Sequence, residues 1–254
     1  MMSDSPTTDQ EGTHILQPRG PKVSAAVVIV AAGKSTRMGL AKGERKPQLL
    51  LEGLPILERT CALFNSIEEV TEIILVAFED DIPAFEQWTV DKPALAKVRG
   101  IIPGGKQRAD SVRAGVFWCG FDVDVIAVHD GARPLTDPNV VLTALRTARA
   151  KGAALVAAPV HDTIKESDDG RTAVRTLDRS KLWAAQTPQA FDAKRLRELV
   201  KLAAEEGFTP TDDASLWQRY EGAITLVPSD ASNLKITTRA DLAIASAILR
   251  ARGE

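Results

Sequence analysis

The sequence has few cysteines and histidines and no excess of charge of either sign. Its two cysteines, Cys61 and Cys119, are far apart among 254 residues, and each lies in an apolar helical pattern. We therefore expect buried thiols in a reducing compartment rather than a disulfide or a metal pair. The three histidines have no metal-ligand spacing with one another or with the cysteines, so no metal site built from protein ligands is expected. A net charge of −2 gives no general attraction to nucleic acid or to a membrane surface, and we expect neither as a partner.

Long hydrophobic runs and targeting segments are also missing. No apolar stretch approaches the roughly 20 residues that a membrane span needs. Residues 1–22 (MMSDSPTTDQEGTHILQPRGPK) are polar and show neither the apolar core of a secretory signal nor the arginine-rich pattern of a transit peptide. We expect this segment to be a disordered tail, followed by a single domain over residues 23–254 in a cytoplasmic protein.

Short apolar runs alternate with segments of helical periodicity. The runs that predict buried strands are SAAVVIVAA (24–32), TEIILVAF (71–78), KVRGII (97–102), DVIAVHD (124–130) and GAALVAAPV (152–160). The segments that predict helices are 55–67, 107–119, 138–151, 192–206, 212–221 and 238–252. This alternation predicts an α/β, Rossmann-like fold, with a mainly parallel, twisted sheet and helices on both faces.

Residues 161–187 break this pattern. The segment is polar, and Asp168-Asp169-Gly170 is a turn signal between two alternating runs. It predicts a β-hairpin arm that projects from the sheet. A last strand is expected at 223–228 (AITLVP).

The stretch VIVAAGKSTRMG (28–39) contains the Gly-Lys-Ser that ends a P-loop. A P-loop needs a glycine five residues before that Gly-Lys pair, and Val28 stands there, so P-loop chemistry is not expected. Five cations and one acid lie between residues 34 and 46, just after the first strand. An open α/β sheet binds its ligand at this end of its strands, and small residues let a backbone approach an anion closely. From charge alone, a solvated basic loop is an equal alternative to an anion site.

Seven motifs in register carry a resemblance over residues 24–250. They are AAGKSTRMG with KPQLLLEG, GGKQRADSV (104–112), VHDGARPL (128–135), APVHDTIK (158–165), LDRSKLWAAQTPQAF (177–191), TDDASL (211–216) and NLKITTRADL (233–242). The first motif resembles the nucleotidylyltransferase superfamily, and the whole set resembles the 2-C-methyl-D-erythritol 4-phosphate cytidylyltransferases. The resemblance implies transfer of CMP from CTP to the polyol phosphate by in-line attack of the acceptor phosphate on the α-phosphorus. It also implies Mg²⁺ held mainly by the CTP phosphates, and a homodimer formed through the arm.

The resemblance also implies roles for individual residues. The catalytic cations would be Arg37, Lys46, Arg179 and Lys235, with Arg179 acting in the active site of the partner subunit. The nucleotide would be bound by Ala31, Ala32, Gly33, Gly104, Gly105 and Ser111. The polyol phosphate would be bound by Asp130, Arg133, Thr163, Thr187, Thr211 and Asp212. For Asp130 and for the glycine loop, a purely structural role as a cap or a turn stays open.

Three other functions remain alternatives. A ribitol 5-phosphate cytidylyltransferase shares nearly every motif, whereas a sugar-1-phosphate nucleotidylyltransferase usually has a fuller glycine-rich loop. A non-catalytic nucleotide-binding regulator would not need cations for an acceptor phosphate. Two departures from the family pattern are a longer spacing between Arg37 and Lys46 and a serine, Ser232, where some relatives have an acid. The chain stops soon after the last expected helix, so we expect no fused cyclase domain.

Overall fold

The computed structural model describes residues 23–33, 38–39, 45–90 and 92–253. The strands are β1 (Ala25–Val30), β2 (Leu50–Leu51), β3 (Leu54–Pro55), β4 (Val70–Ala77), β5 (Val98–Pro103), β6 (Val125–Asp130), β7 (Ala153–Pro159), β8 (Lys165–Glu166), β9 (Arg175–Thr176), β10 (Trp183–Asp192) and β11 (Thr225–Pro228). The α-helices are α1 (Ile56–Asn65), α2 (Ile82–Thr89), α3 (Arg108–Trp118), α4 (Pro138–Lys151), α5 (Ala193–Glu205), α6 (Asp213–Glu221) and α7 (Arg239–Arg252). The tail expected at residues 1–22 lies outside the described residues.

Seven strands form the central sheet, in the order β11-β7-β10-β6-β1-β4-β5. The pairs of β1 with β4 and β6, of β4 with β5, and of β7 with β11 are parallel, which confirms the expected mainly parallel α/β sheet. The chain passes from β1 to β4 and β5 on one side, and then returns to place β6 on the other side of β1. This reversal is a topological switch point, where open α/β sheets form a crevice at the carboxyl ends of their strands.

Helices cover both faces of the sheet, as the sequence predicts. On β1, Val27 and Ile29 face a core shared with α1, α2 and α4, whereas Ala26 and Val28 face a core shared with α3, α5 and α6. This two-sided burial explains why the strand reads as an unbroken apolar run. Both cysteines are free and buried, as expected.

The central sheet contains one strand that the sequence does not predict. β10 lies between β6 and β7 and is antiparallel to both. It begins at Trp183, so residues 183–187 belong to the sheet rather than to the arm expected at 161–187. Its pairing with β7 is interrupted between Ala185 and Gln189, around Pro188. A proline and two glutamines disguise a strand whose centre is buried, because sequence patterns with proline indicate an edge strand or a loop.

The arm itself is a short hairpin in which β8 pairs with β9. Asp169 accepts hydrogen bonds from the N–H groups of Arg171 and Thr172, both at 2.7 Å, and Gly170 has φ +68°. This is the turn that the Asp-Asp-Gly sequence predicts. Nearly all residues from 161 to 181 are exposed.

Two smaller elements lack a clear sequence pattern. The β2–β3 hairpin precedes α1, and α2 follows a tight turn after β4. Each strand of the hairpin has two residues, too few for a periodicity. Among the described residues, no helix combines the length and the apolar character that crossing a bilayer requires.

Candidate active site

A cleft of about 1050 Å³ opens at the switch point of the sheet. Its walls are the segments that follow the carboxyl ends of β1, β4, β5 and β6, together with the start of α3 and the loop before α7. The lining includes nine residues that the sequence motifs identify: Ala31, Ala32, Gly33, Lys46, Gly104, Gly105, Ser111, Asp130 and Lys235. These residues span more than 200 positions of sequence, and the sheet topology brings them to one place.

The first wall is the small-residue loop after β1. The N–H of Ala31 donates to the carbonyl of Val76 at 2.7 Å, which extends the β1–β4 ladder by one residue before the chain leaves the sheet. A Cβ built on Gly33 would meet no atom of the described residues within 4 Å, so packing does not require glycine there. Lys46 also lines the cleft, in a 3₁₀ turn over Lys46–Gln48 with Pro47 buried. Arg37 lies outside the described residues.

The second wall is the glycine loop between β5 and α3. A Cβ on Gly104 would lie 2.4 Å from Cβ of Ala32, and one on Gly105 would lie 2.2 Å from Cβ of Asp110, so only glycine fits at either position. The buried Ser111 hydroxyl accepts from the N–H of Gly105 at 3.0 Å and donates to the carbonyl of Gln107 at 3.2 Å. Ser111 therefore holds the shape of the loop, and the loop presents its backbone to the cleft.

Asp130, at the end of β6, is surrounded by three cations. Its carboxylate lies 2.8 Å from Nζ of Lys235, 3.6 Å from Nε of Arg133 and 3.7 Å from Nε of Arg108. Burial by itself would raise the pKa of Asp130, but Lys235, Arg108 and Arg133 together lower it to about 2. The Asp130 carboxylate is therefore ionised near pH 7, and three cations lie around it.

A buried ion pair joins the glycine loop to α6. The Arg108 guanidinium donates to both carboxylate oxygens of Asp213, at 3.1 and 2.7 Å. Burial raises the pKa of Asp213, whereas Arg108 opposes that rise; in turn Asp213 and Asp130 raise the pKa of Arg108 despite its burial. A bidentate arginine in this position fixes the start of α3 relative to the start of α6.

Lys235 reaches Asp130 because its loop is fastened to the loop after β6. The N–H of Ile236 donates to the carbonyl of Ala132 at 2.9 Å, and the Arg133 guanidinium donates to the carbonyl of Asn233 at 2.6 Å. The buried Asn233 amide donates to the carbonyl of Thr187 at 3.0 Å, and its other contacts are to Gln186 and Thr136. Asn233 thereby holds the lysine loop against β10.

A chain of hydrogen bonds runs behind Asp130. His129 is buried, and its Nε2 lies 3.1 Å from the carbonyl of Arg133, an acceptor, so the ring proton belongs on Nε2. Nδ1 then accepts from the Thr187 hydroxyl at 3.0 Å, and that hydroxyl oxygen accepts from the N–H of Asp130 at 3.1 Å. Burial lowers the pKa of His129 to about 4, so the ring is neutral near pH 7. Thr187 therefore orients the strand end that bears Asp130.

The remaining candidates occupy two other places. Asp212 caps α6, where it accepts from the N–H of Ser215 at 2.8 Å and from the Gln189 amide at 3.0 Å, and Thr211 lies next to it, exposed. Thr163 and Arg179 lie exposed in the arm, where the Arg179 guanidinium donates to the carbonyl of His161 at 2.6 Å. Neither arm residue lines the described cleft.

Carboxylates that could hold a divalent cation are sparse at the cleft. Asp130 and the exposed Glu79 are the acids in its described lining. In the part of the chain that the structure describes, no group of three acidic, histidine or cysteine side chains is arranged to hold a metal ion. Ser232 instead accepts a hydrogen bond from Arg252 at 3.0 Å. These acids are too few to hold a divalent cation alone, so an ion bound in this cleft would take most of its ligands from phosphate and water, and the Asp130 carboxylate could join them.

Sequence reasoning missed three residues of the site. Arg108 lies inside the motif GGKQRADSV, and its partner Asp213 follows the cap of α6. Asn233 opens the motif that contains Lys235. The available signal was a polar residue within a family motif, but the burial and pairing of these residues depend on the three-dimensional structure.

Comparisons with known proteins identify the family. The family model described as IspD, 2-C-methyl-D-erythritol 4-phosphate cytidylyltransferase, matches residues 25–251. Two curated relatives of that name are from Caldanaerobacter subterraneus subsp. tengcongensis, 38% identical over 90% of this chain and 100% of the relative, and from Geotalea uraniireducens, 40% identical over 88% and 95%.

Solved structures are similar over the same range. The 4-diphosphocytidyl-2C-methyl-D-erythritol synthase of Anaerococcus prevotii superimposes with a TM-score of 0.76 at 28% identity, over 90% of this chain and 97% of that one. The 2-C-methyl-D-erythritol 4-phosphate cytidylyltransferase of Thermus thermophilus gives 0.71 at 29% identity, over 91% and 100%. These comparisons do not favour the ribitol 5-phosphate alternative. The chain belongs to the 2-C-methyl-D-erythritol 4-phosphate cytidylyltransferase family, and it is a nucleotidyltransferase.

Proposed function

We propose that the cleft at the switch point transfers CMP from CTP to 2-C-methyl-D-erythritol 4-phosphate and releases pyrophosphate. The observation that carries this proposal is the convergence of Lys46, Arg108 and Lys235 on one cleft of about 1050 Å³. Ligand pockets commonly range from about 300 to 1,000 Å³, so this one has room for a nucleotide and a second substrate. Two anions must meet there, and the cations that line the cleft reduce their repulsion.

The reaction needs positioning and charge stabilisation more than it needs a base. The acceptor phosphate is ionised at neutral pH, and one of its oxygens attacks the α-phosphorus as the bond to the pyrophosphate oxygen breaks. Lys46 and Arg37 would contact the triphosphate and stabilise the charge that builds on the oxygens around phosphorus. Both ring nitrogens of the neutral His129 make hydrogen bonds to the protein, so this residue has a structural role rather than one in proton transfer.

The glycine loop would bind the cytosine ring and recognise its polar edge. The N–H groups of Gly104 and Gly105 already donate, to the carbonyl of Ala77 and to the hydroxyl of Ser111. The 4-amino group of cytosine is itself a donor, so backbone carbonyl oxygens of Ala31–Gly33 and of the glycine loop are the groups that would accept from it. The cytosine ring would therefore contact backbone atoms of a loop in which Gly104 and Gly105 cannot be replaced without a clash.

Lys235 would bind the acceptor phosphate. Its ammonium group pairs with Asp130 in this structure, and a phosphate entering the cleft would take over part of that pairing. Arg133, Thr187, Thr211 and Asp212 would shape the polyol subsite, most of them by orienting Asp130 or the start of α6. When bound, Mg²⁺ would neutralise phosphate charge, and Asp130 is the protein group that could join its coordination.

The arm would complete the site of a partner subunit in a homodimer. Support comes from the exposed position of Thr163 and Arg179, which have cations and hydroxyls suited to phosphate but lie outside this chain's own cleft. Mixing Lys46→Ala with Arg179→Ala subunits tests this, because half of the dimers would be mixed and one site in each would be intact. We expect about a quarter of the parent activity from the mixture. An inactive mixture would mean that each subunit uses its own Arg179. The unpaired buried cysteines support a cytoplasmic location.

The test of the function is pyrophosphate release from CTP with 2-C-methyl-D-erythritol 4-phosphate and, separately, with ribitol 5-phosphate. We expect turnover with the first and little with the second. Lys46→Ala should lower turnover by at least about a hundredfold without changing the melting temperature. The exposed Lys151→Ala, at the end of α4, is the matched control and should keep the parent rate. Parent-like turnover of Lys46→Ala would contradict the assignment.

A further inference from the structure

A group of side chains around Arg45 joins two walls of the cleft. Arg45 immediately precedes the 3₁₀ turn that bears Lys46. Its Nε lies 3.4 Å from Oδ1 of Asp81, its Nη2 lies 3.4 Å from Oδ2 of Asp80, and its guanidinium carbon lies 4.8 Å from the centre of the Phe78 ring. Phe78, Asp80 and Asp81 all belong to the segment that follows β4. Arg45 therefore connects the Lys46 turn with the end of β4.

The contacts of Arg45 differ in strength. Asp80 is exposed, with 76% of its side chain accessible, so its ion pair contributes little. Asp81 has only 7% of its side chain accessible, and a buried carboxylate needs a counter-charge. Burial raises the pKa of Asp81 and Arg45 opposes the rise. The face of Phe78 adds an attraction that does not depend on a charged partner.

Arg45 is placed to act on Lys46 rather than on a ligand. It is not among the residues that line the cleft, whereas Lys46 and Phe78 both are. Its backbone carbonyl accepts from the N–H of Gln48 at 3.0 Å, so it is also the first residue of the turn that presents Lys46. A movement of Arg45 would be transmitted directly to the next residue along the chain.

We propose that Arg45 is a positioning residue for Lys46, held by Asp81 and Phe78 so that the lysine ammonium stays aimed at the nucleotide phosphates. This inference rests on the proposed function, since it presumes that Lys46 binds CTP. The Arg45 contacts fix the Lys46 turn to the segment that follows β4, and Phe78 of that segment also lines the cleft. The side chain of Asp81 thus contributes to nucleotide binding without touching the nucleotide.

The experiment compares Arg45→Ala, Arg45→Lys and Asp81→Asn with the parent. We expect kcat/KM for CTP to fall about tenfold in Arg45→Ala and in Asp81→Asn, because small errors in the placement of a phosphate-binding group are costly. KM for the polyol phosphate should stay within about twofold, because Lys235 and its loop are not involved. Arg45→Lys keeps the charge beside Asp81 and should recover most of the loss. The double variant Arg45→Ala/Asp81→Asn should be no worse than either single variant.

The control is Arg146→Ala. This variant removes a 2.8 Å ion pair between Arg146 and Glu69, neither of which lines the cleft, and it should leave both kinetic constants at the parent values. A parent-like Arg45→Ala would overturn the proposal. So would a parent-like Asp81→Asn beside an impaired Arg45→Ala, since that combination means that Arg45 itself contacts CTP. If Asp81→Asn does not fold, the comparison of alanine with lysine at position 45 decides. The dissociation constant for CTP, measured with Mg²⁺ present, tests the role of Arg45 without any turnover. An inactive parent enzyme would refute the proposed function, but the effect of Arg45 on CTP binding could still be measured.

Discussion

Replacing Asp130 with asparagine should destabilise the protein and at the same time make it respond more strongly to phosphate. The three cations around Asp130 lower its pKa from an ordinary 3.8 to about 2, which corresponds to about 2 kcal/mol in favour of the charged carboxylate in the folded state. Asp130→Asn removes this term and keeps the size of the side chain. For a chain of this length, 2 kcal/mol lowers the melting temperature by about 4 to 8 °C.

The sign of the pH dependence follows from a depressed carboxylate pKa. The stabilisation is complete above about pH 4 and is lost as the pH falls toward 2, so the difference between parent and variant should be the same at pH 7 and at pH 5. Phosphate acts in the opposite direction to the mutation. In Asp130→Asn the charges of Lys235, Arg108 and Arg133 are less neutralised, and inorganic phosphate should raise the melting temperature more than it does for the parent.

The assay is thermal unfolding at pH 5 and pH 7, with a phosphate titration and a sodium chloride series of equal ionic strength. Asp124→Asn is the matched control, because Asp124 precedes the same strand and pairs with Arg149 alone among the described cations, at 3.3 Å with both side chains partly accessible. It should cost about 1 kcal/mol or less and give no phosphate effect. An Asp130→Asn protein that melts with the parent, or that gains less from phosphate than the parent does, would refute the electrostatic reasoning.

Three further predictions concern packing, pH and a buried amide. Gly33→Ala should keep the parent melting temperature and raise KM for CTP about tenfold. Gly115→Ala should instead lower the melting temperature, because its Cβ would lie 2.4 Å from Cγ1 of Val28 and this clash would cost roughly 1 to 3 kcal/mol of stability. Melting curves and initial rates distinguish the two variants. Burial lowers the pKa of His129 to about 4, so the unfolded chain binds a proton at this residue more readily than the folded chain does. The unfolding free energy should therefore fall by about 2 kcal/mol from pH 7 to pH 5. In urea titrations, His129→Gln should show a smaller fall over the same pH range. Asn233→Ala removes three side-chain hydrogen bonds and should cost about 2 to 4 kcal/mol in urea unfolding and raise KM for the polyol phosphate; a parent-like KM would mean that Lys235 is positioned without it.

The strands and helices with strong periodicity could be predicted from the sequence. β1 reads as buried on both faces because Val27 and Val28 point to opposite cores, and the structure places both there. β10 could not be predicted, since its proline and glutamines conceal a central strand whose pairing depends on β6 and β7. The arm's turn was predictable from Asp169 and Gly170, but its boundary with the sheet was not, because nothing local marks where pairing with β7 begins.

The candidate site also has features that the sequence predicts and features that it does not. The motifs identified Lys46, Asp130 and Lys235 individually, since residue type and spacing are local properties of the sequence. Their distances and partners were not predictable. The Arg108–Asp213 pair, the Asn233 bridge and the Arg45 clamp each join positions separated by tens of residues or more.

By itself, the amino-acid sequence determined the class of the fold, the order of its main elements and the family. It also gave candidate glycines and cations, of which Gly104, Gly105, Lys46 and Lys235 line the cleft. Hydrophobic periodicity and turn chemistry act between neighbours, so they are legible in one dimension. The tertiary structure alone decided the ionisation of Asp130, the neutral tautomer of His129 and the anchoring of Lys46 and Lys235. Those properties depend on burial and on charges within a few ångströms, and such distances exist only after the sheet has brought remote segments together.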